Sequence, residues 1–223
     1  MKTTENRIFI VGASGHGSVA ADAARHAGRE VVGFLDSFKP TGQVVRGIPI
    51  LGHPDNLADL LKRHDVRRLF LGISDNWTRQ QVAAKLRAAV PDFELTSILH
   101  PQSVVATDVV LGPGTLVLAG AIINTGCLIA ENCIVNTKAS LDHDGEMRSC
   151  ASLLPGVTTG GNCVIGECAC VCVGAILSHK VSIGDHAVVG AGAVVLHDVP
   201  PCSLAYGVPA RVVRSRQPGE RHF

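Results

Sequence analysis

Apolar residues recur at every sixth position through the second half of the chain. The series runs Val105, Leu111, Val117, Ile123, Ile129, Val135, Leu141, Met147, Leu153, Thr159, Ile165, Val171, Leu177, Ile183, Val189 and Val195, with Thr159 its one polar member. Four residues after each comes something small or compact, as in Ala121, Cys127, Ala139, Ala151, Cys163 and Ala187. Sixteen six-residue units follow without an insertion, a period that predicts a parallel β-helix. Three units close one triangular coil of eighteen residues. Residues eighteen apart then stack on one face, about 4.8 Å apart at ordinary strand spacing. Open ends of such a stack need caps. The preceding domain is expected at one end, and the segment after Val199, with Pro200, Pro201 and Pro209, at the other.

The first hundred residues follow a different pattern. Arg7–Val11 is a short apolar run ending in Gly12-Ala-Ser-Gly15-His-Gly17. A helix is predicted over 18–27, a strand over 31–35 ending at Asp36, a helix over 55–64, a strand over 68–73 and a helix over 76–90. This alternation predicts a small Rossmann-like parallel α/β sheet. The domains are then 1–100 (nucleotide-sugar-binding), 101–200 (β-helix) and 201–223 (C-terminal cap or tail).

A glycine turn between strand and helix is an anion site, because backbone N–H groups and the helix N-terminus face a phosphate. Asp36 after the second strand is placed to bond a ribose or base. The turn reads GxxGxG rather than GxGxxG, and the sheet is short, so a mononucleotide half-site suits it better than a dinucleotide one. A purely structural tight turn is the alternative.

Composition narrows the field. Hydrophobic residues make up 46% and aromatics only 4% of the 223 residues, which fits a layered aliphatic core. A net charge of +1 without a basic run gives no reason to expect nucleic acid or an anionic membrane. The start, Met1 to Asn6, lacks the apolar core of a signal peptide and no stretch reaches spanning length, so the cytoplasm is expected. Cys127, Cys133 and Cys163 take the small inward slot, and Cys168, Cys170 and Cys172 alternate along an expected strand. Buried neutral thiols are the expectation, rather than disulfides or zinc.

The hexads, Gly207-Val-Pro-Ala-Arg211, Gly12-Ala-Ser-Gly-His-Gly17 and Phe34-Leu-Asp-Ser-Phe-Lys39 together resemble the PglD/NeuD/PerB-type bacterial sugar acetyltransferases. The hexads alone point only to the wider β-helix acyltransferases. The resemblance spans about residues 7 to 214. It implies a left-handed β-helix, a homotrimer with active sites between subunits, and acetyl-CoA as cosubstrate with no metal. It also implies a UDP- or GDP-linked 4-amino-4,6-dideoxy sugar as acceptor, as in glycan or O-antigen synthesis.

Acetyl transfer to an amine requires a general base and N–H donors for the developing oxyanion. His143 sits in a turn slot two residues after inward Leu141, so its ring is expected to project outward, with Asp144 to orient it. Family members use a His followed by Glu or Asp here as the base. The resemblance further implies that Asn136 lies near the sugar and that Gly12, Ser14, Gly15, His16, Gly17, Asp36, Ser37 and Lys39 line the nucleotide-sugar pocket. Gly72, Asn76 and Arg79 are expected to reach the diphosphate or base, Arg79 being equally readable as a solvated helix residue. Gly161, Val173, Ala191, Pro209 and Arg211 fall at positions that hold CoA, with Arg211 or Arg214 near its phosphates. Ser152 stands at this cofactor edge where relatives often carry a second His.

Three other readings compete. One is an O-acetyltransferase of the sialic-acid type, with the same base and a hydroxyl acceptor. Another is a trimeric β-helix zinc lyase, since His143, His179 and His197 share one phase of the coil. Two coils separate His143 from His179, about 10 Å, too far for one zinc within a subunit. The last is a non-catalytic binding module.

Overall fold

The computed structural model describes residues 6–220. The leader segment discussed above, but for Asn6, and the last three residues of the C-terminal tail lie outside the described residues. The chain divides into two compact units. One runs to Ser74 and resumes over Thr78–Pro101; the other comprises Asp75–Trp77 and the chain from Gln102 onward.

The first unit is an α/β sheet. Its elements are β1 (Arg7–Val11), α1 (Gly15–His26), β2 (Glu30–Leu35), β3 (Val44–Val45), β4 (Ile48–Gly52), α2 (Leu57–His64), β5 (Arg68–Leu71), α3 (Asn76–Ala89) and β6 (Glu94–Leu95). The first two residues of α3, Asn76 and Trp77, count with the second unit. Strand order is β3-β4-β2-β1-β5-β6, parallel except for the β3–β4 hairpin. The hairpin and β6 extend the sheet beyond the three strands expected: β3 and β6 are two-residue runs with no readable alternation, and β4 carries Pro49 inside its run, which argues against a strand. Helix α1 starts at Gly15, three residues before its expected start. Ser14 is extended at the N-cap and the Ser18 N–H already bonds the Ser14 carbonyl, so half of the glycine motif is helix. Its small face, Gly17, Ala20, Ala21, Ala23 and Ala24, is buried. A core of Phe9, Val11, Leu35, Leu57, Leu69 and Leu86 packs within this unit.

The second unit is the β-helix. Sixteen two-residue strands, from Val104–Val105 to Val194–Val195, recur every six residues. Strands eighteen residues apart pair in parallel, as in Ile122↔Ser140 and Glu146↔Val164. Inward positions such as Val135, Leu141, Leu153 and Ile165 are fully buried. From Gly114 to Gly192 every sixth residue has φ between 54° and 74°. Each triangular corner therefore turns through a left-handed residue, and eight of these positions are not glycine. That N–H is anchored to the coil below, as in Asp144 N–H to Thr125 O and Asn162 N–H to His143 O. Cys168 takes such a corner (φ 54°) and Cys172 follows the strand Cys170–Val171, so the three cysteines do not share one strand as expected. All eight cysteines are free and all but Cys202 are buried. The stack ends in an antiparallel hairpin, Ser203–Gly207 with Ala210–Ser215.

Candidate functional site

His143 stands at a corner between the strands Ser140–Leu141 and Glu146–Met147. Its imidazole is half-exposed, and Nδ1 lies 2.8 Å from Asp144 Oδ2. Asp144 holds the left-handed corner position, φ 55°, a conformation that a short polar side chain tolerates. With Nδ1–H donated to the carboxylate, Nε2 keeps its lone pair as an acceptor. The bond to Asp144 pushes the His143 imidazole above its ordinary pKa. Desolvation opposes this, and the charges of Asp142 and Asp144 add to it.

Two glycines make room for this pair. A Cβ at Gly161 would lie 2.4 Å from His143 Nε2, and one at Gly126 would lie 2.5 Å from Asp144 Oδ1. The ring therefore rests on a bare backbone turn. Asp142 fixes the corner from the other side. Its Oδ1 accepts the His143 N–H at 2.8 Å and Asn124 Nδ2 at 2.7 Å, while its own N–H donates to Thr159 Oγ1 at 3.0 Å. The bond from Asn124 and then that from the His143 N–H hold its carboxyl below the usual range. Thr159 is the single polar member of the inward series, and its hydroxyl accepts from the His143 corner. Gly126, Asn124 and Asp142 were missed by sequence reasoning; Thr159, the break in an otherwise apolar register, was the available signal.

The glycine turn of the first unit is built differently. Gly12 has φ 98°, a Cβ at Gly17 would lie 2.0 Å from Gly12 O, and one at Gly72 would lie 2.8 Å from Gly17 Cα. Close backbone packing thus accounts for Gly12, Gly17 and Gly72. Gly15 is the exception: a Cβ there meets nothing within 4 Å, so the N-terminus of α1 is open beside exposed Ser14. Asp36 departs from its expected ribose contact. It is 9% exposed, and its carboxylate accepts the N–H groups of Ala13 at 2.7 Å, Phe38 at 2.8 Å and Lys39 at 2.9 Å. Burial pushes this carboxyl up, but those three N–H groups and the Lys39 ammonium outweigh it, leaving it below its usual value. Its work is to tie the turn to the loop after β2. Lys39 Nζ donates to Ala13 O, and Ser37 is exposed on the same loop. His16 has a buried Nε2 without a hydrogen-bond partner, and burial first, then the Arg79 charge, lowers its pKa to about 4. It is a neutral imidazole. Arg79 is neither solvated nor at a ligand: it is 1% exposed and donates to the carbonyls of Ile73 and Ser74.

Asn76 and Ser152 also depart from expectation. Asn76, 1% exposed, donates to the carbonyls of Cys168 and Ala169 and accepts the Ser152 hydroxyl at 2.6 Å. Ser152 is itself fully buried. Both side chains work inside the second unit, Asn76 as an anchor against the β-helix and Ser152 as its donor, so neither is presented to a diphosphate or to CoA. Asn136 is half-buried, with Oδ1 accepting the Thr137 N–H. Val173 and Ala191 are exposed eighteen residues apart, beside Gly174 and Gly192, whose faces are open for at least 4 Å. Pro209 and Arg211 are exposed on the terminal hairpin, and Arg214 pairs with Glu220 at 2.6 Å. Among the described residues no three His, Cys, Asp or Glu side chains converge as a metal site requires.

The family model of the PglD N-terminal domain matches residues 7–86. No curated protein sequence matches. Solved structures do. PerB from Caulobacter crescentus, in complex with CoA and GDP-perosamine, is similar at 36% identity, covering 93% of this chain and 97% of its own, with a TM-score of 0.87. A mutant of perosamine N-acetyltransferase from the same organism, with the same ligands, matches at 35% identity over the same shares with a TM-score of 0.88. The acetyltransferase domain of PglB from Neisseria gonorrhoeae, in complex with acetyl coenzyme A, matches at 28% identity, 93% and 99% coverage and a TM-score of 0.83.

Proposed function

The chain belongs to the PglD/PerB-type bacterial sugar acetyltransferases, and on that premise we propose that it transfers the acetyl group of acetyl-CoA to the amine of a nucleotide-linked amino sugar. The observation that carries this is the His143–Asp144 pair, held at 2.8 Å with the ring seated on Gly161. The amine forms the new C–N bond as the C–S bond breaks. The proton that the amine loses goes to His143 Nε2 and then to the departing thiolate. Asp144 keeps Nδ1 protonated so that Nε2 can accept. The relatives' complexes with CoA and GDP-perosamine favour a GDP- or UDP-linked 4-amino-4,6-dideoxy sugar as acceptor. Ser14, Gly15 and His16 at the open end of α1, with Ser37 and Lys39, are its nucleotide contacts, and Asn136 lies by the sugar. Acetyl-CoA is the substrate of the exposed rail at Val173 and Ala191, with Arg211 for its phosphates; the open faces at Gly174 and Gly192 suit a pantetheine arm held by backbone groups.

The protein is a homotrimer in this reading. Outward slots on two faces of the β-helix stay exposed, with Val104 at 63% and Val110 at 59%, while those of the third, such as Leu116 and Ile134, are covered. Among the described residues no helix is long and apolar enough to cross a membrane, and free thiols suit a reducing cytoplasm.

The test is thiol release from acetyl-CoA with a panel of GDP- and UDP-linked 4-amino sugars, each beside its 4-hydroxy counterpart. Release with an amine and not with its hydroxyl counterpart is expected. Release with the hydroxyl sugars would make the enzyme an O-acetyltransferase.

A further inference from the structure

The residue on which the His143 ring is seated has to be glycine, and so does its neighbour. A Cβ at Gly160 would lie 2.8 Å from the His179 N and 2.9 Å from its Nδ1, just as one at Gly161 would strike His143. A Gly-Gly corner is the least rigid floor a polypeptide can offer, since glycine loses the most conformational freedom on folding. The corner one coil above restrains it. Lys180 N–H donates to Gly161 O at 2.9 Å, and Gly161 N–H donates to His179 Nδ1 at 3.1 Å. The Gly161 N–H is held by a side chain rather than by the strand ladder. The same device recurs at another corner, where the Glu167 N–H is held by Asp185 Oδ1 from eighteen residues on, at 2.8 Å. At the Gly161 corner, one coil above His143, the acceptor is an imidazole instead of a carboxylate.

We propose that His179 is a positioning residue for the transfer carried out at His143: its Nδ1 pins the Gly161 peptide on which the His143 ring is seated. The inference rests on the acetyltransferase reading. His179 acts through Gly161, with Nε2 carrying the proton so that Nδ1 can accept. It sets the height and tilt of the floor, and through it the direction of His143 Nε2.

Three variants decide the matter: His179→Ala, His179→Asn, whose Oδ1 falls near the place of Nδ1, and His179→Gln, whose acceptor reaches past it. Removing one hydrogen bond of ordinary strength predicts a kcat about tenfold lower in His179→Ala. His179→Gln should be equally slow, and His179→Asn should return to within about threefold of wild type. The KM values for both substrates stay within about twofold of wild type. The Gly161 amide, followed by NMR hydrogen exchange, should exchange about tenfold faster in the Ala variant and near the wild-type rate in the Asn variant. Wild-type kcat in His179→Ala, or an Asn variant as slow as Ala, would overturn the proposal. The exchange measurement needs no substrate. If wild-type protein acetylates none of the sugars, the acetyltransferase reading fails, and an unchanged Gly161 exchange rate in His179→Ala still sinks this one separately.

Discussion

Glycines shape both the turn after β1 and the corner that carries His143, but they do opposite things there. Around the turn after β1, Gly12, Gly17 and Gly72 let backbones touch, and of the motif's three glycines Gly15 faces open space. In the β-helix Gly126 and Gly161 clear space for the side chains of Asp144 and His143. The carboxylates differ in the same way. Asp36 has its oxygens turned inward onto three backbone N–H groups, whereas Asp144 faces an imidazole. A glycine motif after a strand therefore reports packing as much as ligand binding. A lone glycine eighteen residues from a polar side chain in a β-helix reports a cleared seat.

The largest effect that would break this comparison is at His143. In His143→Ala, kcat at saturating acetyl-CoA is expected to fall about a hundredfold or more, with the thermal midpoint unchanged because the side chain is half-exposed. A fast variant would reduce the seat at Gly161 to mere geometry. Gly161→Ala comes next. Its methyl would force the His143 ring aside by about 1 Å, a displacement that costs roughly ten- to a hundredfold in rate, read as kcat with folding monitored by circular dichroism. The α/β glycines should respond in stability instead. Gly17→Ala, with its methyl driven into Gly12 O, is expected to lower unfolding free energy by about 1–3 kcal/mol in urea titrations. Gly15→Ala has room and should stay within about 0.5 kcal/mol of wild type. Its effect belongs on the nucleotide sugar, as a KM raised about threefold. Equal destabilisation by the two variants would erase the distinction drawn between Gly17 and Gly15.

The coils of the β-helix could be read in advance because each strand repeats the same inward slot. The hexad period places His143 on an outward corner before any coordinate is seen. The partners of that corner are harder to read. Asn124, Thr159 and Gly161 are 19, 16 and 18 residues away in sequence, and only the eighteen-residue register shows that they meet. Thr159 was visible as an irregularity, but its bond to the Asp142 N–H was not. In the α/β unit β1, β2, β5 and the three helices followed from alternation, while β3, β4 and β6 did not, and Arg79 and Asn76 were misjudged. Both are polar residues at the start of a helix, a pattern shared by ligand-binding and buried anchoring groups. Only the carbonyls of Ile73, Ser74, Cys168 and Ala169 identify them as anchors. Ser152 was placed at the cofactor edge by the resemblance, since relatives often carry a second His there, and its partner Asn76 is 76 residues away.

The pH dependence of kcat/KM, in wild type and in Asp144→Asn, tests the central claim most directly. His143 must be unprotonated to accept the amine proton, so activity is lost as pH falls through its pKa. Asp144 raises that pKa, so the acid limb of the wild-type profile should lie above the ordinary histidine value of about 6.5. In Asp144→Asn the carboxylate that accepts the Nδ1–H is gone, and its charge with it. The limb should then move to lower pH even as the plateau drops. An acid limb that stays in place in Asp144→Asn, or a profile with no acid limb, would contradict the assignment of proton transfer to the His143–Asp144 pair.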